Sequence, residues 1–173
     1  MKGFTRLAGM KYEQVIDKYA TGIKQVAYAY VKDKQVAEDI TQETFLRCLT
    51  KGNRFKGEAS IKTWLYRIAI NLCKDHLKNA YNKRVILNEE VTQTIADTSP
   101  SAESIALDKE KKNDITDYIL ELPIQYREIV VLYYFKEFKV TEIAKTLNVS
   151  QNTVKTRLRR SRELLKEGMN RDE

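Results

Sequence analysis

Residues 140–167 read VTEIAKTLNVSQNTVKTRLRRSRELLKE. Val140, Ile143, Ala144 and Leu147 fall at helical spacing and stop at Asn148, a residue that tolerates the left-handed backbone of a tight turn. Ser150 stands where a hydroxyl can accept from the first-turn amides of a second helix. That helix turns Val154, Leu158, Ser161 and Leu165 inward, and Ala144 is small enough for it to cross close by. The pattern is a helix-turn-helix. The second helix would enter a DNA major groove by its N-terminal end. Gln151, Asn152, Lys155 and Thr156 lie there, with Arg159 and Arg160 a turn further on. A good bidentate contact to a base edge discriminates by about 1–3 kcal/mol. The remaining basic residues would hold phosphates, which position a protein without reading sequence. The plainer reading is an amphipathic helix with a solvated basic face.

Composition supports a helical nucleic-acid binder. The chain has 173 residues, enough for one ordinary domain or two small ones. Charged residues reach 32% while Gly (6) and Pro (2) are scarce, which favours helices over sheet. Net charge is +7, and a basic balance suits polyanions. The two cysteines, Cys48 and Cys73, and the lone His76 lack the spacing of a metal site, so no metal or cofactor is expected. The opening MKGFTRLAGMKYEQ has no signal-peptide core, and no run of about 18 apolar residues occurs. A cytoplasmic protein that does not itself enter the membrane is expected.

Charge is distributed in blocks. Residues 51–84 hold nine basic residues against two acids, and residues 88–110 hold six acids against Lys109 alone. The acidic stretch, with NEEVTQTIADTSPSAES inside it, lacks apolar periodicity and predicts a flexible acidic linker over 84–108. It separates two small all-α domains, 1–83 and 109–173.

In the first domain, Tyr12, Val15, Ile16, Tyr19, Ile23, Val26, Ala27, Tyr30 and Val31 predict an amphipathic helix over 11–31. A second helix is expected over 34–50. Val36, Ala37, Ile40, Thr44, Phe45 and Leu49 are its inner stripe, and Glu38, Asp39, Gln42 and Glu43 its outer face. That outer face is either plain solvated surface or a docking surface for a basic partner. After the turn-rich KGNRFKGEAS, Ser60 can cap a helix over 61–78. Its stripe runs from Ile61 to Leu77 and includes His76 as a partly buried structural imidazole. Another face carries Thr63, Arg67, Asn71, Lys74 and Lys78, with Tyr66 beside it. Basic, amide and aromatic side chains together suit single-stranded DNA, whose bases can be stacked and bonded at their edges. In the second domain, Ile115, Tyr118, Ile119 and Leu122 form a stripe ended by Pro123, and Tyr126 to Tyr134 form another helix.

Four stretches together resemble the extracytoplasmic-function sigma factors of bacterial RNA polymerase, in the sigma-70 family. They are AEDITQETFLR (37–47), RFKGEASIKTWLYRIAINLCKDHLK (54–78), ELPIQYREIVVL (121–132) and the helix-turn-helix. The resemblance implies a stress-type alternative sigma factor, not an enzyme, that directs promoter-specific transcription initiation. Asp39, Gln42 and Glu43 match the motif that docks on core RNA polymerase. Phe55, Lys56 and Ser60 of the loop, with Tyr66, Arg67 and Asn71 of the helix, match the region that captures the melted −10 strand. Gln151, Asn152, Lys155, Thr156, Arg159 and Arg160 fall on the helix that reads the duplex −35 element. The resemblance also implies an anti-sigma factor, in this family often membrane-bound, that grips both domains. Lys139 departs from the Ser or Thr common before the short helix, so the family's cap there does not transfer; Gln151 and Asn152 depart from common small residues, so the family's −35 sequence does not transfer either. The alternative is a stand-alone helix-turn-helix regulator. A nuclease is disfavoured by the lack of paired carboxylates at metal spacing or a nucleophile motif.

Overall fold

The structure is a computed structural model that describes residues 6–7, 9–51, 55, 59–92 and 115–171. Lys56 and residues 93–114, the greater part of the expected linker, lie outside the described residues. The described architecture is helical apart from one short hairpin. Strands β1 (Arg6–Leu7) and β2 (Met10–Lys11) pair antiparallel, with Gly9 at φ 81° in the turn.

Helix α1 (Tyr12–Val31) buries Val15, Tyr19, Ile23, Val26, Ala27 and Tyr30, the stripe its spacing predicts. Lys32 ends it in the left-handed region at φ 56°, donating its N–H to the Tyr28 carbonyl. Asp33 then opens α2 (Lys34–Lys51), its Oδ1 accepting from the Val36 N–H at 2.9 Å. Helix α2 buries Ala37, Ile40, Thr41, Thr44, Phe45 and Cys48. Leu49, expected on the inner stripe, is instead 38% exposed, because the buried face at this end of α2 is taken by Cys48.

Helix α3 (Ile61–Thr92) corrects two expectations. It runs on to residue 92, where an end at 78 and a linker from 84 were expected. No Gly or Pro interrupts 61–92, so nothing in the backbone stops the helix when its apolar stripe fades. At 1.5 Å per residue α3 is about 48 Å long against about 30 Å for α1, so it outruns its neighbours. His76 is exposed rather than partly buried, because Cys73 and Leu77 take the covered face of that turn, and residues 81–86 are exposed beyond it. Leu65, Ala69, Ile70 and Cys73 fill the core between α3 and α1–α2. Burial pushes the Cys73 thiol up to about 12 and the Cys48 thiol up to about 11, so both remain inert thiols at neutral pH.

The second unit comprises α4 (Ile115–Glu121), α5 (Ile124–Val130), α6 (Val140–Leu147) and α7 (Gln151–Arg171). Helix α5 does not continue to residue 134 as one α-helix. It opens into a π-helical turn over Val131–Phe135, closed by the Lys136 N–H on the Val131 carbonyl at 3.1 Å. This turn leaves Tyr134 and Phe135 exposed and sends Phe138, 2% exposed, into the core. Lys139 offers no side-chain cap to α6. The Glu142 carboxylate supplies the reverse bond, accepting the Lys139 N–H at 2.8 Å. Asn148 takes the left-handed conformation at φ 55°, ψ 49°, and Ile143, Ala144, Leu147, Val154 and Leu158 pack where the two helices cross.

Candidate nucleic-acid interface

The helix-turn-helix turns the polar and basic face of its second helix outward. Ser150 Oγ accepts the Thr153 N–H at 3.0 Å and fixes the start of α7. Val154, Leu158 and Ser161 are buried beneath it, which turns Gln151, Asn152, Lys155, Thr156, Arg159 and Arg160 to solvent together. The basic residues are not equivalent. Arg160 is engaged with Glu163 at 2.9 Å and Glu167 at 3.6 Å. Arg162 donates to the Tyr134 hydroxyl at 2.7 Å, and Arg157 turns inward to Glu128 at 3.5 Å. Arg159 is 76% exposed and only grazes Glu163 at 4.0 Å.

On α3, Ser60 caps as expected, its Oγ accepting the Thr63 N–H at 3.1 Å. Phe55 is half-buried, its ring 5.4 Å from that of Trp64. Arg67 and Asn71, one turn apart, are both exposed on the same face. Tyr66 is placed differently. It is 3% exposed, its hydroxyl lies against Gly22 of α1 where a Cβ would collide, and burial pushes its phenol up to about 12. Its ring meets Phe138 of the second unit edge-on at 5.0 Å.

The two units therefore pack together, and the contacts are made largely by cations seeking carbonyls left unbonded at helix ends. Arg67 Nη2 donates at 2.6 Å to the Lys145 carbonyl in the last turn of α6. Lys62 Nζ donates at 2.6 Å to the Lys136 carbonyl after the π-turn and sits 4.2 Å from the centre of the Phe138 ring. In return Arg127 Nη1 donates at 2.7 Å to the Ala29 carbonyl in the last turn of α1. At the centre lies Glu128, 5% exposed, whose carboxylate accepts from the Tyr30 hydroxyl and faces Lys74 at 3.4 Å. Burial and the neighbouring Glu128 raise the Tyr30 phenol well above its ordinary range. Sequence reading missed Tyr30, Arg127 and Glu128 as polar contact residues. The available signal was the charged pair Arg127-Glu128 set directly before the apolar run IVVL. Beside these contacts a cavity of about 450 Å³ opens between the units, with Tyr28, Ala37, Ile119 and Phe135 in its walls.

On α2, Asp39 and Gln42 are exposed and Glu43 is half-buried, bonded to Arg47 at 2.7 Å. Leu46, 56% exposed, and Leu49 lie among them, so the carboxylates border an apolar strip that sequence reading did not single out. Among the described residues no group of side chains could hold a metal ion, and no helix is long and apolar enough to cross a membrane.

Residues 15–82 match the Sigma-70 region 2 family and residues 112–165 match Sigma-70, region 4. The chain is similar to the ECF RNA polymerase sigma factor SigW of Bacillus subtilis, 35% identical over 90% of this chain and 87% of that protein. It is also similar to SigM of the same organism, 30% identical over 94% of this chain and 97% of that protein. Among solved structures, the fold resembles the sigma factor RpoE from Bartonella quintana, solved in complex with the anti-sigma factor NepR. That match has a TM-score of 0.67 at 19% identity and covers 94% of this chain and 98% of that one. CnrH, solved with the cytosolic domain of CnrY, gives a TM-score of 0.67 at 19% identity, covering 94% and 89%. With both regions matched in order and relatives of this identity along nearly its whole length, the chain belongs to the extracytoplasmic-function (ECF) RNA polymerase sigma factors of the sigma-70 family.

Proposed function

We propose that the chain is an alternative sigma factor that binds core RNA polymerase and selects promoters by a two-point reading of DNA. One observation supports this above the rest. A single chain carries two capped helices with outward nucleic-acid faces, Arg67 and Asn71 on α3 and Gln151 to Arg160 on α7, each within a matched sigma-70 region. Helix α7 reads the −35 duplex, with Lys155, Thr156 and Arg159 nearest the base edges and Gln151, Asn152 and Arg160 beside them. The loop residues Phe55, Lys56 and Ser60, with Arg67 and Asn71, hold the melted −10 strand, and Tyr66, buried against α1, is not part of that surface. Asp39, Gln42 and Glu43 of α2 dock on basic residues of the polymerase. The sigma factor does no covalent chemistry in this scheme. Holding a base already out of the stack offsets part of the opening cost of a few kcal/mol and shifts duplex toward melted DNA. An anti-sigma factor that grips both units is the proposed regulator. A stand-alone helix-turn-helix regulator would leave the matched residues 15–82 without a role.

Asn71 tests the strand-capture assignment. It is exposed on α3, so Asn71→Ala should leave the fold intact. Losing one hydrogen bond of about 1–1.5 kcal/mol should lower open-complex formation by roughly five- to tenfold. Permanganate footprinting of the melted region, set beside core affinity measured separately, reads the two steps apart. Equal loss in both would contradict the assignment.

A further inference from the structure

We propose that the second unit acts as an internal plug for the strand-reading helix, held by a latch centred on Glu128. The proposal rests on the assignment of α3 to the melted strand. Two cations of that face, Arg67 and Lys74, and Lys62 at the start of the same helix are each engaged by a group of the second unit that stands in for part of a nucleic acid. The carbonyls of Lys136 and Lys145 take Lys62 and Arg67, as phosphate oxygens would. Glu128 takes Lys74. The Phe138 ring sits edge-on to Tyr66 and 4.2 Å from Lys62, joining the second unit to the start of α3.

The latch is shared between the two DNA-binding helices. One buried carboxylate faces Lys74 of α3 and Arg157 of α7 while accepting from Tyr30 of α1. The packed form thus spends cations of both readers on a single internal anion. The masking is unequal. Tyr66 is buried and Arg67 engaged, whereas Gln151 to Thr156 and Arg159 stay open to solvent. The closed protein therefore presents α7 to duplex DNA, while Lys62, Arg67 and Lys74 of α3 are held by the second unit and less available to a single strand. Strand and plug compete for the same groups, so anything that favours one disfavours the other by the same factor.

The test uses the full chain labelled through Glu13→Cys on α1 and Lys166→Cys on α7, both exposed positions; Cys48 and Cys73 are buried and stay unlabelled. Energy transfer between the dyes reports closure. Anisotropy of a fluorescein-labelled random-sequence DNA strand of about 20 nucleotides, at low ionic strength, reports capture. Tyr30→Phe removes one latch hydrogen bond and keeps the ring. Phe138→Ala removes the ring on Tyr66, and circular dichroism checks that each variant is folded. Both should lower transfer and bind the strand about fivefold tighter, the gain when the open fraction rises from about a tenth to about a half. Unchanged transfer in both variants overturns the latch. Lower transfer with the parent's affinity overturns the plug while leaving strand reading in place. Lower transfer with no binding by any variant overturns the strand-reading assignment, and the proposal with it.

Discussion

Asp39→Lys should weaken association with core RNA polymerase by about a hundredfold. Asp39 is exposed on α2 and accepts from the Gln35 amide at 3.3 Å, so reversing its charge costs the fold little. At an interface where carboxylates meet basic residues, a like-charge contact costs several kcal/mol, and about 3 kcal/mol is roughly a hundredfold. The neighbouring strip of Leu46 and Leu49 would still offer apolar area, which is why binding should fall rather than vanish. The check is a titration of labelled sigma factor into core, with binding of α7 to duplex DNA as the control. Undiminished affinity for core would remove Asp39 from the docking surface.

Arg159→Ala should weaken binding to a duplex carrying the −35 element by about 5- to 150-fold, the range expected for one base-edge contact of about 1–3 kcal/mol. Arg160→Ala should do less. Its guanidinium is already shared by Glu163 and Glu167, so DNA must first displace those carboxylates, whereas Arg159 is 76% exposed. Electrophoretic shift on matched and scrambled duplexes separates the two roles. A base-reading Arg159 loses affinity on the matched duplex and little on the scrambled one. Equal losses on both would make it a phosphate contact.

The helices themselves were legible wherever spacing and caps agreed. Ser60, Asn148 and Ser150 do what their side-chain chemistry and position predict, and Val15 to Tyr30 fill the core in the predicted register. Errors came where an apolar stripe was read beyond its cover. His76 follows the spacing of α3 but falls on its open side while Cys73 and Leu77 take the covered side, and Leu49 continues α2 after Cys48 has closed the buried face. The π-turn at Val131–Phe135 was not legible, because Tyr126, Ile129, Val130, Tyr133 and Tyr134 keep an ordinary helical spacing; the wider turn leaves Tyr134 exposed. Of the candidate site, the outward residues of α7 were legible because their helix needs only local information. The engagement of Lys62, Arg67 and Lys74 was not. Their partners lie more than fifty residues away in sequence, and two of the three are backbone carbonyls, which every residue possesses.

The central claim is that this ECF sigma factor gives core polymerase its choice of promoter through α3 and α7 together. Reconstituted transcription with core polymerase on genomic DNA, with the start sites mapped, tests it most directly. A discrete set of starts should appear only when the chain is added, preceded by shared −35 and −10 elements. Arg159→Ala and Asn71→Ala should each deplete this set. Core that starts at the same places with and without the chain would contradict the claim.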